Sequence, residues 1–274
     1  LKKLAIGMEP VARGIALESM CTYTYRTPDY QLSGAEDHRP AFWGAQTQMW
    51  QATLDEDAYA FTSFPANMGD LGGDFEFGGD WIGGWYPRIT FHKNIAVIQY
   101  RTGELSLFEE MFSADHTHAF FPKTGFDEVA EAGGWFTGRK GDGYLALYSH
   151  NPAGFPEDNE FELLAPGTDN VWLVEMGSAA ENGTYKEFVS ALAEVQVTVG
   201  EKVSYESPSQ GAVEVGFEGP MLVEGEPVSP VDCPRFHNEF VHQDVASPTV
   251  TATLGELVLK LDFESGQRLL LTPQ

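Results

Sequence analysis

Oily and polar side chains take turns along segment after segment of this chain. The stretches "QTQMWQATL", "AYAFTSF", "RITFHKN", "AVIQYRT", "THAFFP", "WFTGRKGDGYLALYS", "VWLVEMG", "VQVTVGEKVSYES", "TVTATLG" and "ELVLKLDF" all carry this pattern. A period of two places alternate residues on opposite faces of an extended strand, which is what a half-buried sheet requires. Short turn signals, "DEDA", "KGDG", "VEGE" and "TLGE", separate the strands. Helical spacing occurs once with conviction, in "NGTYKEFVSALAEV", where Tyr185, Phe188, Val189, Leu192 and Val195 share a face. Thr184 and Glu187 make a capping box at its start. "TGFDEVAEAG" suggests one further turn of helix. The expectation is an all-β protein, a large antiparallel β-sandwich with one short helix near residues 184–195. With no linker and no repeat, residues 1–274 read as one domain.

Charge narrows the partners. The chain holds 41 acidic against 16 basic side chains, a formal net charge of −25. Such a surface repels nucleic-acid phosphates and anionic lipid, so neither nucleic acid nor a membrane is expected as a partner. No apolar run reaches the length of a membrane-spanning helix. Two cysteines, Cys21 and Cys233, lie far apart in sequence, and spacing leaves open whether they pair. The fingerprints of phosphate-binding loops, dinucleotide folds and serine-hydrolase elbows are missing from the sequence.

The residues that could carry chemistry begin with His116 and His118, which fall on one face of a strand. Three readings stay open for them. They could share a cation, although the sequence names no third ligand, so no metal is assigned. They could face a cleft and move protons. They could be half-buried residues bonded to backbone or to Asp115. A metal-dependent jelly-roll would place a glutamate close after the pair, but the first acids in "AFFPKTGFDE" are Asp127 and Glu128. The glycine-rich stretch "MGDLGGDFEFGGDWIGGWYPR" spaces Asp70, Asp74, Glu76 and Asp80 in a way that could hold calcium, but its spacing matches no known calcium loop. Trp81, Trp85 and Tyr86 follow, and Trp43 precedes; flat rings suit stacking on sugar faces, and equally the filling of a core.

The order of "YRTPDYQLSGAEDHRP", "QMWQATLDEDAYAFTSFP", "WIGGWYPRITFHKNIAVIQY", "THAFFPKTGFDEV" and "GWFTGRKGDGYLALYS" resembles the C-terminal β-sandwich of carbohydrate-active proteins. In those proteins an (α/α) toroid precedes the sandwich, as in heparinase-type and alginate-type polysaccharide lyases. The resemblance covers the chain from about Glu18 onward and implies a supersandwich-like module that completes the cleft of an upstream toroid. It further implies a polysaccharide partner, an extracellular or periplasmic location, and a main catalytic base outside these residues. Eliminating a uronic-acid glycoside needs a group that neutralises the carboxylate, a base and an acid. On that view Tyr25, Arg26, His116 and His118 are the catalytic candidates. Trp81, Trp85, Tyr86, Arg139, Lys140 and His38 are the substrate-binding candidates, with Tyr30 and Lys123 nearby in the same motifs. His116, His118, Arg139 and Lys140 should then converge on one groove. A glycoside hydrolase module is close behind. A stand-alone carbohydrate-binding or structural module, without catalysis, is the alternative from another class.

Overall fold

A computed structural model of the protein describes residues 21–36, 38, 40–41, 48–65, 81, 84–102, 114–228, 236–243 and 247–272, with 236 and 237 described by backbone alone. The chain divides into two compact units, residues 22–229 and residues 1–21 with 230–274. The larger unit is built from three sheets. Sheet 1 runs in the order β1 (Cys21–Arg26), β2 (Gln31–Glu36), β3 (Trp50–Thr53), β4 (Tyr59–Ser63), β7 (His116–Phe120), β11 (Glu162–Pro166). Sheet 2 runs β5 (Arg88–His92), β6 (Ile95–Tyr100), β12 (Asn170–Ser178), β10 (Gly143–Ser149), β9 (Trp135–Lys140), β8 (Glu128–Ala132). Sheet 3 is a meander of β13 (Thr198–Val199), β14 (Lys202–Ser207), β15 (Gly211–Gly216), β16 (Leu222–Val223) and β17 (Glu226–Pro227). The all-β class read from alternation holds.

Sheet 2 is the middle layer, and its sequence shows why. Along β12 every residue is buried, so both faces need apolar cover. Trp172, Val174 and Met176 join one core with Ile98, Tyr100, Leu145 and Leu147 and with the inner face of sheet 1. Val171 and Leu173 join a second core with Ile95, Val97, Tyr144, Val203, Tyr205 and Val213. The period of two that made the strands legible also deals residues to the two cores in turn. The inner face of sheet 1 is lined by small residues, with Ala52, Ala60, Ala119 and Ala165 fully buried beside Trp50 and Trp172. The indole N–H of Trp50 donates to Thr62 Oγ1 at 2.9 Å, and that of Trp172 donates to Thr117 Oγ1 at 3.0 Å. Leaving either buried indole N–H without its acceptor would cost about 1–3 kcal/mol.

Two short helices follow β12: α1 (Ala179–Asn182) and α2 (Tyr185–Ala193). The capping box is present. Thr184 Oγ1 accepts from the Glu187 backbone N–H, and the Glu187 carboxylate accepts from the Thr184 N–H at 2.7 Å. Tyr185, Phe188 and Leu192 are buried. The helical turn expected in "TGFDEVAEAG" is corrected. Lys123–Gly125 form a single 3-10 turn, and Glu128–Ala132 form β8, paired in register with β9 from Glu128↔Arg139 to Ala132↔Trp135. The local preference of Glu and Ala for helix yields to the free edge that β9 offers.

One acid lies inside the layer between sheets 2 and 3. Glu175 of β12 is 1% exposed, and its Oε2 accepts from Ser209 Oγ at 3.2 Å. Asn94 Nδ2 donates to the same Ser209 Oγ at 2.9 Å, and Gln210 Nε2 donates to Asn94 Oδ1 at 2.7 Å. Burial drives the Glu175 carboxyl up to about 7, against the smaller pull of the Ser207, Ser209 and Tyr205 hydroxyls. Arg88, also buried, donates to the carbonyls of Gly216 (2.7 Å) and Gly219. Arg88 pairs with Gln99 and Glu175 with Ile95. The cation is therefore about four residues, or about 14 Å, along the ladder from the acid.

In the smaller unit, β18 (Phe236–His237), β19 (Val241–Gln243), β20 (Thr249–Leu254), β21 (Leu257–Asp262) and β22 (Gln267–Leu271) form an antiparallel meander. Cys21 is disulfide-bonded, and the second cysteine of the sequence, Cys233, lies outside the described residues. Among the described residues, no helix is long and apolar enough to cross a membrane.

Candidate functional site

The outer face of sheet 1, turned away from sheet 2, gathers the sequence's most chemically active side chains. On β7, Thr117 and Ala119 point into the core, which turns His116, His118 and Phe120 outward. Register then selects their neighbours. Phe61 of β4 stands opposite Phe120, and Ser63 stands opposite His118; across β11, Glu162 stands opposite Phe120 and Leu164 opposite His118. His118 reaches diagonally to Glu162, and its Nδ1 lies 2.5 Å from Oε1. Asn159 Nδ2 donates to the other carboxylate oxygen at 2.8 Å. The His118 hydrogen bond holds the Glu162 carboxyl below the usual carboxylate range against the opposing effect of burial. Glu162 is therefore ionised near neutral pH, and His118 Nδ1 carries the shared proton.

His116 makes the second pair, with Nδ1 3.1 Å from Asp115 Oδ1. Here too the carboxyl is lowered, first by its hydrogen bond to His116. The two pairs differ in access. The His116 side chain is 26% exposed, whereas His118 is fully buried. Trp81 lies flat against the His118 ring, with centroids 3.9 Å apart and planes 13° apart.

An aromatic floor adjoins the histidines. Tyr59, Phe61 and Phe120 stack on one another, with centroids 5.0–6.4 Å apart and planes within 27°. Trp81 meets Phe61 and Phe120 edge-on, at 67° and 81°. All four rings are half-buried. Toward β1 the face turns polar: Gln48 Nε2 donates to Gln51 Oε1, and Gln51 Nε2 donates to Thr53 Oγ1, both at 2.7 Å.

The structure separates the residues expected to share a groove. His116 and His118 are on sheet 1, while Arg139 and Lys140 are on β9 of sheet 2. Both cations are already engaged. Arg139 pairs with Asp127 at 3.6 Å and Glu128 at 3.5 Å. Lys140 bonds Asp57 at 3.1 Å and the Gly125 carbonyl at 2.9 Å. They tie a hairpin tip to its surroundings instead of lining the histidine face. Trp85 and Tyr86, expected as a sugar platform, are 4% and 8% exposed within the core between sheets 1 and 2. The chain passes inward there, and His38 packs tilted on Tyr86 with centroids 5.7 Å apart. Tyr25 is turned inward, half-buried against the same core, beside Tyr30. Arg26 is exposed on β1, four strand spacings or about 19 Å from β7. Lys123 Nζ lies 3.8 Å over the Phe155 ring. Asp70, Asp74, Glu76 and Asp80, with the calcium expectation, lie outside the described residues, as does Trp43. Among the described residues no three His, Cys, Asp or Glu side chains are grouped to hold a metal ion.

Sequence reasoning missed Tyr59, Phe61, Phe120 and Glu162. The alternation in "AYAFTS" was visible, but two phases fit it, and the larger rings invite the wrong one. Glu162 could not be found from spacing, since it is 44 residues from His118. Comparison of the chain with protein-family models, with curated proteins and with solved structures found no match in any of the three.

Proposed function

We propose that the chain is a glycan-contacting β-sandwich whose outer sheet-1 face completes the substrate cleft of a polysaccharide-degrading protein. The observation that supports this is Trp81, which lies on His118 beside the stacked Tyr59, Phe61 and Phe120 rings. An indole fixed flat by a buried imidazole loses little freedom when its other face meets the apolar face of a sugar ring. The amides of Gln48 and Gln51 extend the same surface with groups suited to hydroxyls. His118 acts as a positioning residue: it is covered, and Glu162 and Trp81 hold it. His116, paired with Asp115, is the group with access to move a proton.

The resemblance to toroid-plus-sandwich proteins motivates the cleft-completing part of this reading, and with it the secreted or periplasmic location and the toroid partner. A binding module without catalysis is favoured by one observation: of the two imidazoles, the second is sealed beneath Trp81.

The test is Trp81→Ala. Retention on immobilised polysaccharide should fall about tenfold, the equivalent of about 1.4 kcal/mol, while the melting temperature shifts by only a few degrees. Unchanged retention would remove the sugar-stacking role. If the face also catalyses, His116→Ala should abolish turnover and leave retention intact; unchanged turnover would leave binding alone.

A further inference from the structure

The outer face of sheet 1 has an electrostatic character that bears on which glycan it takes. Strands β4, β7 and β11 contain no Lys or Arg. The described segment that leads into β11 is just as one-sided. Residues 155–161, which lead to Glu162, carry three acids and no cation. Among the described residues, the cation just after β7 and the two on β9 are committed elsewhere, and the exposed Arg26 of β1 stands about 19 Å from β7, beyond a Debye length. Lys123 caps the Phe155 ring, Arg139 pairs with two acids, and Lys140 pairs with Asp57.

A polyuronate brings one carboxylate per sugar. Tight sites for it commonly set Lys or Arg at the carboxylates, often a bidentate Arg. Here it would meet Asp115 and the acids that lead into Glu162, on a chain of net charge −25. Like charges within a Debye length, about 8 Å at physiological salt, repel without compensation. Aromatic stacking and amide hydrogen bonds carry no such requirement.

Resting on the glycan reading of this face, we propose that it takes an uncharged glycan and rejects polyuronates. The consequence for chemistry is direct. Elimination depends on a uronate carboxylate to acidify the neighbouring C–H, and a neutral sugar lacks it. The face therefore suits retention or hydrolysis of a neutral polysaccharide and not the lyase reaction.

The test uses the full chain in affinity electrophoresis, at low salt and at physiological salt. The neutral probes are β-glucan, xylan and mannan; the anionic probes are alginate and polygalacturonate; chitosan is the cationic probe. The expected result is retention by at least one neutral polymer, varying less than about twofold with salt and reduced about tenfold in both Trp81→Ala and Tyr59→Ala. Alginate and polygalacturonate should not retard the protein at low salt. Trp81-dependent retention by a polyuronate would overturn the neutral-glycan inference while leaving the glycan reading in place, and so would preference for chitosan that vanishes with salt. Retention by none of the polymers would overturn both. Melting curves of the two variants identify loss of fold, and concordance between them guards against a local collapse in one.

Discussion

Glu162 and Glu175 are both strand residues withdrawn from water, one on the outer face of sheet 1 and the other between sheets 2 and 3, yet they titrate in opposite directions. Glu162 has His118 at one oxygen and Asn159 at the other, and its carboxyl is lowered. Glu175 has the Ser209 hydroxyl within hydrogen-bond distance, and its carboxyl rises to about 7. Burial acts on both. The difference is the partner: an imidazole that shares a proton stabilises the ionised form, and hydroxyl dipoles do so less. The first arrangement fixes an aromatic face in place at neutral pH. The second makes the layer between sheets 2 and 3 sensitive to pH in the range where Glu162 is indifferent.

The largest effect expected from this contrast is Glu175→Gln. In linkage terms, the folded protein holds a proton on Glu175 up to about pH 7, whereas the unfolded chain releases it near the ordinary glutamate value of 4.5. The stability from this group is complete below about 4.5 and is lost as pH rises through about 7. The lost amount is about 3 kcal/mol. The amide stays neutral throughout, so the variant should gain about that much over the wild type near pH 8 and little near pH 5. Urea midpoints at the two pH values check it. Equal midpoint differences at both would show that water or a cation reaches the ionised carboxylate.

Glu162→Gln should behave with the reverse sign. Its depressed carboxyl contributes stability that is present above the ordinary Glu range and is lost as pH falls through the folded value. The variant should lose roughly 2 kcal/mol near neutral pH, with the gap to wild type closing toward pH 4. Quenching or near-ultraviolet dichroism of Trp81 should change in parallel, since the indole rests on the His118 ring that Glu162 orients. A stability loss without any Trp81 signal would separate the pair from the face.

The contrast also explains what could be read from residues alone. Strand after strand was legible, because alternation is a local property, and the cap of α2 was legible for the same reason. The phase of the alternation was not. Tyr59 and Phe61 point outward and Ala58 and Ala60 inward, because Trp50 and Trp172 already fill the space between sheets 1 and 2. The size of a facing sheet's residues is not written in a strand's own sequence. The edge strand β8 was hidden in helix-favouring residues, since what fixes it is the unpaired side of β9. The two histidines were found by their spacing. Which of them would be sealed was decided by Glu162 and Trp81, 44 and 37 residues away in sequence. Arg139 and Lys140 were noticed for being cations in an acidic chain, and that same acidity is what consumes them in ion pairs.

The smallest effect sharpens the comparison at its weaker side. Ser209→Ala removes the hydroxyl that donates to Glu175 Oε2 at 3.2 Å. Asn94 Nδ2 loses one acceptor but keeps the Met176 carbonyl at 2.5 Å, so the turn has no reason to unfold. The ionised carboxylate needs that hydroxyl more than the neutral acid does. The Glu175 carboxyl should therefore titrate above about 7, with roughly 1 kcal/mol lost near pH 8 and less near pH 5. Carboxyl carbon chemical shifts followed through the titration would report the change at Glu175 itself. A midpoint that stays put would mean that Ser209 is not the donor that matters, and that the Tyr205 and Ser207 hydroxyls supply what little stabilisation the buried charge receives.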